Sequence, residues 1–167
     1  MSYRSVEGNE FFTTKPYSVC YENDTEWDDE NDRPVVNATF EAFQTAVNDC
    51  GGQINITEEM VEGLVLYDYN EGKDRLRVWE FGADGVVTRT EGSTVKTWDW
   101  SIDENGYIFV DIEKDAGDIL YIALMGIHDD KYSLKIFSQW PAGGELIGEI
   151  YGDEYFISNP KALSDVN

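Results

Sequence analysis

Apolar and polar residues change rhythm near residue 60. Beyond that point the dominant period is two. Trp98, Trp100 and Ile102 share one parity, while Thr97, Asp99 and Ser101 share the other. Leu134 and Ile136 alternate with Lys135. Successive side chains of a strand point to opposite faces, so this alternation predicts half-buried β-strands. Eight runs read this way: 63–69, 75–81, 86–91, 94–102, 107–112, 119–125, 132–139 and 146–151, the last extended by Tyr155-Phe156-Ile157. The breaks between them are rich in Gly, Asn and Asp, residues that supply turn geometry. Asn105-Gly106, at the end of the break at 103–106, predicts a hairpin turn, because both residues tolerate positive φ. His128-Asp129-Asp130 and Pro141-Ala142-Gly143-Gly144 read as later breaks. Residues 119–125 are apolar on both parities, which predicts a strand covered on both sides.

The links are too short for crossover helices, so consecutive strands must pair antiparallel. Eight strands joined by short hairpins favour an up-and-down β-barrel over a sandwich. The fold class expected is therefore mainly β: an antiparallel up-and-down eight-stranded barrel with an N-terminal extension carrying one helix. That helix is predicted over 38–49. Phe40, Phe43 and Val47 form its apolar stripe, Asn37 or Thr39 can cap its start, and Gly51-Gly52 can end it. Phe11-Phe12-Thr13-Thr14 and residues 17–21 read as short strands. A single helical turn at 57–60, capped by Thr57, stands ready to close one barrel end. The organisation expected is an extension over 1–55, packed on a barrel over 56–158, and a tail over 159–167.

Composition sharpens this picture. Aromatics make up 14% of the chain, which argues against disorder and for pleated, half-buried surface. The 34 acidic residues outnumber the 12 basic ones, for a net charge of −22. Such a field repels a phosphate backbone, so nucleic acid is excluded as a partner. The charge fits a solubilising surface, a divalent-cation site, or a surface that mimics DNA. No stretch has the roughly 18 apolar residues of a membrane-spanning helix. The residues after Met1 are polar, which predicts either a cytoplasmic protein or a mature or excised piece of a secreted, periplasmic or cell-envelope one.

Against this frame, four pieces carry a resemblance. They are Ile56-Thr57-Glu58-Glu59-Met60-Val61-Glu62-Gly63-Leu64-Val65-Leu66-Tyr67, Trp79-Glu80-Phe81-Gly82-Ala83-Asp84-Gly85, Thr97-Trp98-Asp99-Trp100-Ser101-Ile102-Asp103 and Asn105-Gly106-Tyr107-Ile108. A helical turn leading to a Gly and a first strand, followed by these hairpins, resembles bacterial lipocalin-like (calycin) barrels over about residues 56–157. The resemblance implies binding rather than catalysis. It also implies that Trp79, Trp98, Trp100, Tyr107, Tyr121 and Tyr132 line a cavity for a small apolar or aromatic ligand. A solid core built from the same aromatics is the alternative, since small eight-stranded barrels can be filled by their own side chains.

Candidate chemistry is sparse. His128, the single histidine, sits beside Asp129 and Asp130 with no nucleophile that the sequence places near it. Asp24, Glu26, Asp28, Glu30 and Asp32 alternate along an acidic loop and offer hard oxygen donors of the kind calcium takes, without the glycine of an EF-hand. No other cofactor is indicated. Cys20 and Cys50 lack metal-binding spacing and are candidates for a disulfide. No nucleotide-binding, nucleophile-elbow or zinc motif is present. The expectation is a monomeric, non-catalytic binding or accessory domain of an exported bacterial protein. The alternative is an acidic protein–protein interaction module or inhibitor of the DNA-mimic type, for example one encoded by a phage.

Overall fold

A computed structural model describes residues 24–113 and 117–160. The expected short strands at 11–14 and 17–21, and Cys20, lie outside the described residues.

The barrel strands are β3 (Val65–Asn70), β4 (Arg75–Phe81), β5 (Val86–Glu91), β6 (Thr94–Ile102), β7 (Ile108–Glu113), β8 (Asp118–His128), β9 (Lys131–Ala142) and β10 (Glu145–Phe156). Each pairs antiparallel with the next, and β10 returns to β3 to close an eight-stranded barrel. A separate two-residue ladder, β1 (Trp27–Asp28) with β2 (Arg33–Pro34), lies in the N-terminal segment. The helices are α1 (Phe40–Asp49) and α2 (Glu58–Val61).

Three strands, β4 to β6, match the sequence pattern residue for residue. The last three run longer. His128 pairs with Lys131 across a turn of only Asp129 and Asp130, with Asp129 at φ 57°. Pro141 does not break the chain but pairs with Leu146 inside β9, leaving Gly143-Gly144 as the whole turn. Proline fits there because β8 pairs with β9 only as far as Gln139, so no ladder bond is lost on that side. At the Asn105-Gly106 turn only Gly106 has positive φ, at 84°. Asp103 organises the loop, its Oδ1 accepting from the backbone of Asn105 (3.0 Å) and Tyr107 (2.9 Å). The loop falls on the break at 103–106 and ends in a left-handed glycine.

The core has two parts on opposite faces of the sheet. Inside, Leu66, Phe81, Val87, Ile108, Val110, Ile122, Leu134 and Ile136 form the barrel cluster. Outside, α1 lies on the wall. Thr39 caps it, accepting from Ala42 N at 3.1 Å. Phe43, Ala46, Val47 and Cys50 of the helix side pack on Tyr107, Ala123, Met125, Phe137 and Ile150. Ala123 and Met125 face outward while Ile122 and Leu124 face inward, which accounts for the doubly apolar β8.

The same segment seals an edge. Beyond its short contact with β3, β10 turns the backbone groups of Leu146, Gly148 and Ile150 away from β9. Asn37 Nδ2 donates to Leu146 O (2.8 Å), and Ala38 N donates to Gly148 O (2.9 Å). Asn37 Oδ1 accepts from Gly148 N (2.5 Å), and Thr25 bonds both backbone groups of Ile150. An open strand edge invites pairing with another chain, and here it is occupied. Lys135, fully buried on the outer face, is held by Asp24 Oδ1 at 2.7 Å.

Candidate functional site

The barrel has one stoppered end and one hollow end. At the stoppered end, α2 follows its N-cap Thr57 and seats Val61 in the barrel cluster, with Ile56 beside it. Trp100 belongs to this plug. Its ring packs edge-on against Phe81, and its Nε1 donates to Gly82 O at 2.9 Å.

The other end opens into a cavity of about 680 Å³. Its wall follows from register. Residues 75, 77, 79 and 81 share one face of β4, and Phe81 and Trp79 are buried inside the barrel. Arg75 and Arg77 must therefore point inward as well. Arg89, opposite Trp79 on β5, joins them. Three of the chain's five arginines thus line one cavity in a protein of net charge −22. From the neighbouring arc come Asp68 of β3, Asp118 of β8, and Tyr151, Asp153 and Tyr155 of β10.

The arginines are held in place. Arg77 Nε donates to Glu91 Oε1 at 2.6 Å, bridging β4 and β5. That bond holds the Glu91 carboxyl below its ordinary range. The Arg89 guanidinium lies over two indoles, 5.5 Å from the Trp79 ring centroid and 5.1 Å from that of Trp98. Burial, and then the nearby Arg77, lower the Arg89 pKa. Two donors in this wall have no partner among the described residues: Trp79 Nε1, on a side chain only 7% exposed, and Arg75 Nε.

The acidic arc is under strain of another kind. Burial raises Asp68, with Arg77 opposing the shift. Burial pushes Asp153 from 3.8 up to about 6, against a hydrogen bond from Glu154 N. Tyr151 and Tyr155 are raised by burial too, and so stay protonated as donors.

The six aromatics expected to line a ligand cavity therefore divide. Trp79 lines it, and Trp98 reaches it by flanking Arg89. Trp100 is part of the plug. Tyr107 and Tyr121 are on the outer face, where they meet Phe40 of α1 at 5.8 and 4.7 Å between ring centroids. Tyr132 is half-buried, opposite Tyr155 and packed against the barrel cluster. The sequence alone does not single out the arginines and β10 residues, because charge along a chain reads as surface. The available signal was parity: Arg75, Arg77, Trp79 and Phe81 alternate in one register.

The five carboxylates of the acidic loop do not converge. Asp24 pairs with Lys135, while Asp28 accepts from Glu30 N, Asn31 N and Asn31 Nδ2 in a local turn. Among the described residues no group of three or more metal-ligating side chains is assembled. Cys50 is buried at the end of α1. No helix among the described residues is long and apolar enough to cross a membrane.

No protein-family model matches the chain, and neither a curated protein nor a solved structure matches it.

Proposed function

We propose that this is a non-catalytic ligand-binding barrel of lipocalin-like form, a binding or accessory domain of an exported bacterial protein. The observation that carries the reading is the half-hollow interior: a barrel plugged at one end and open at the other into about 680 Å³. Small-molecule sites have this size and carry a few placed polar groups on a rigid wall. The unpartnered Trp79 Nε1 supports it, because a buried donor without an acceptor costs stability that a bound acceptor restores. The sequence pointed to a small apolar or aromatic ligand; the charged wall favours one that is polar, with a flat portion against the indoles.

Export is supported by cysteine chemistry. Cys50 is not a free thiol, and we assign its partner as Cys20, the chain's other cysteine. Such bonds persist in oxidising compartments. By chain-entropy reasoning, a loop of this length contributes about 3–4 kcal/mol.

The binding reading is tested by a thermal-shift screen of a broad metabolite panel, followed by indole fluorescence of the hits. At least one ligand class should raise Tm and change the Trp79 and Trp98 emission. A panel silent in both would overturn the reading. Export is tested by alkylation and intact mass before and after reduction, on protein taken from its native compartment. Labelling at two cysteines only after reduction is expected, and two thiols open to alkylation before it would overturn the assignment.

A further inference from the structure

The charges of the open cavity are sorted by strand. The cations Arg75, Arg77 and Arg89 stand on the adjacent strands β4 and β5. The carboxylates Asp68 and Asp153 stand on the adjacent strands β3 and β10, with Asp118 on β8 and Glu71 in the β3–β4 link also on the wall. One cation is already matched inside the wall, since Arg77 is bonded to Glu91. Arg89 forms no ion pair among the described residues and is held by indole faces instead. Asp153 accepts a bond from the backbone of Glu154 and has no ion pair among the described residues. So one side of the cavity presents an unmatched cation, with the buried, unpartnered Trp79 Nε1 in the same wall. The other side presents an unmatched carboxylate between two tyrosines.

An anion alone would leave Asp153 uncompensated and add to a cavity already rich in carboxylate. A cation alone would leave Arg89 and the Trp79 N–H unanswered. A ligand carrying both charges answers both sides. We infer that the open end of the barrel binds a short zwitterionic peptide, with its carboxylate on Arg89 and Trp79 Nε1 and its ammonium on Asp153, with Asp68 beside it. The inference deepens the ligand-binding reading and rests on it.

Size agrees. β5 and β10 are three strand spacings apart, about 14 Å along the wall at roughly 4.8 Å each. The cavity of about 680 Å³ is large enough to hold a dipeptide with its side chain. The indoles and Tyr155 favour a flat side chain on it.

The test is a charge-removal series on one scaffold: Gly-Phe, its N-acetyl form, its C-terminal amide, and the N-acetyl amide that carries neither charge. Affinities are read by titration calorimetry and indole fluorescence on the intact chain. Gly-Phe should bind at least tenfold tighter than either singly charged form, as charge-assisted hydrogen bonds require. Arg89→Gln should erase the advantage of the free carboxylate and keep that of the free amine. Asp153→Asn should do the reverse. Each variant thus controls for the folding of the other. Equal binding of all four forms would overturn the zwitterion and leave a binding barrel. So would silence of all four while another class from the metabolite panel binds. Preference for the N-acetyl form or for the amide over Gly-Phe would replace the proposal with a purely anionic or purely cationic ligand. Silence of the series and the panel together would overturn both readings.

Discussion

Asp153 shows how a residue can be kept against the interest of stability. Its carboxyl releases a proton near 3.8 in the unfolded chain and near 6 in the folded one. Between those values the folded state holds more proton, so raising the pH through this window lowers stability. Asp68 shifts in the same direction, and Arg77 opposes it there. The penalty at neutral pH is roughly 2–3 kcal/mol for Asp153. Asp153→Asn keeps an oxygen for the Glu154 N–H and removes the charge. It should raise Tm near neutral pH, and the gain should vanish below about pH 3.8, where both states of the wild type are protonated. Thermal melts across this range check it. A variant no more stable than wild type at neutral pH would mean that water or a neighbour already compensates the carboxylate. On the proposed function, a destabilising charge on the wall of the cavity is a trade of stability for binding.

At the scale of elements, the seal on β10 depends on a glycine. A Cβ at Gly148 would stand 2.0 Å from Ala38 O, a backbone atom that cannot swing aside. Gly148→Ala should therefore force the N-terminal segment off the strand edge, break its bonds from Asn37 and Ala38, and cost about 2 kcal/mol, or about 5 °C in Tm. The freed edge should also promote self-association, visible by sedimentation. A variant that melts and sediments like wild type would show that the seal contributes little. The legibility of the chain is uneven at this scale for physical reasons. β4 to β6 are bounded by turns of Gly, Asp and Ser, and their limits could be read directly. β9 and β10 could not, because Pro141 is tolerated only where the neighbouring strand has ended, a fact of register. The inward face of β4 was hidden for a related reason. Leu76 and Val78 look like its core side, yet Trp79 and Phe81 carry the larger apolar surface and turn Arg75 and Arg77 inward. Aromatic content pointed to a cavity, but Tyr107 and Tyr121 serve instead to seat α1.

At the scale of the whole molecule, the acids and the arginines are separated. The chain carries −22 overall, while three of its five arginines are gathered inside. Self-repulsion of the acidic surface opposes the compact state, so Tm should rise with added sodium chloride as the charges are screened. The same field also sorts ligands before they arrive. Its reach is about 30 Å at 0.01 M salt and about 10 Å at 0.1 M, far beyond any contact in the cavity. An anion approaching the barrel mouth is repelled and a cation is drawn in, whereas a zwitterion feels no net pull. Stopped-flow association rates for the charge-removal series should therefore separate by slope. Over roughly 0.01 to 0.3 M salt, the N-acetyl form should associate faster as salt rises, the amide slower, and Gly-Phe at a nearly constant rate. Once bound, the Arg89 and Asp153 contacts sit in a partly dehydrated cavity where salt screens them less, so the dissociation rate of Gly-Phe should change little. If its association instead slowed as steeply as that of the amide, the ammonium alone would be recognised, and the arginines would serve only to offset the buried carboxylates around them.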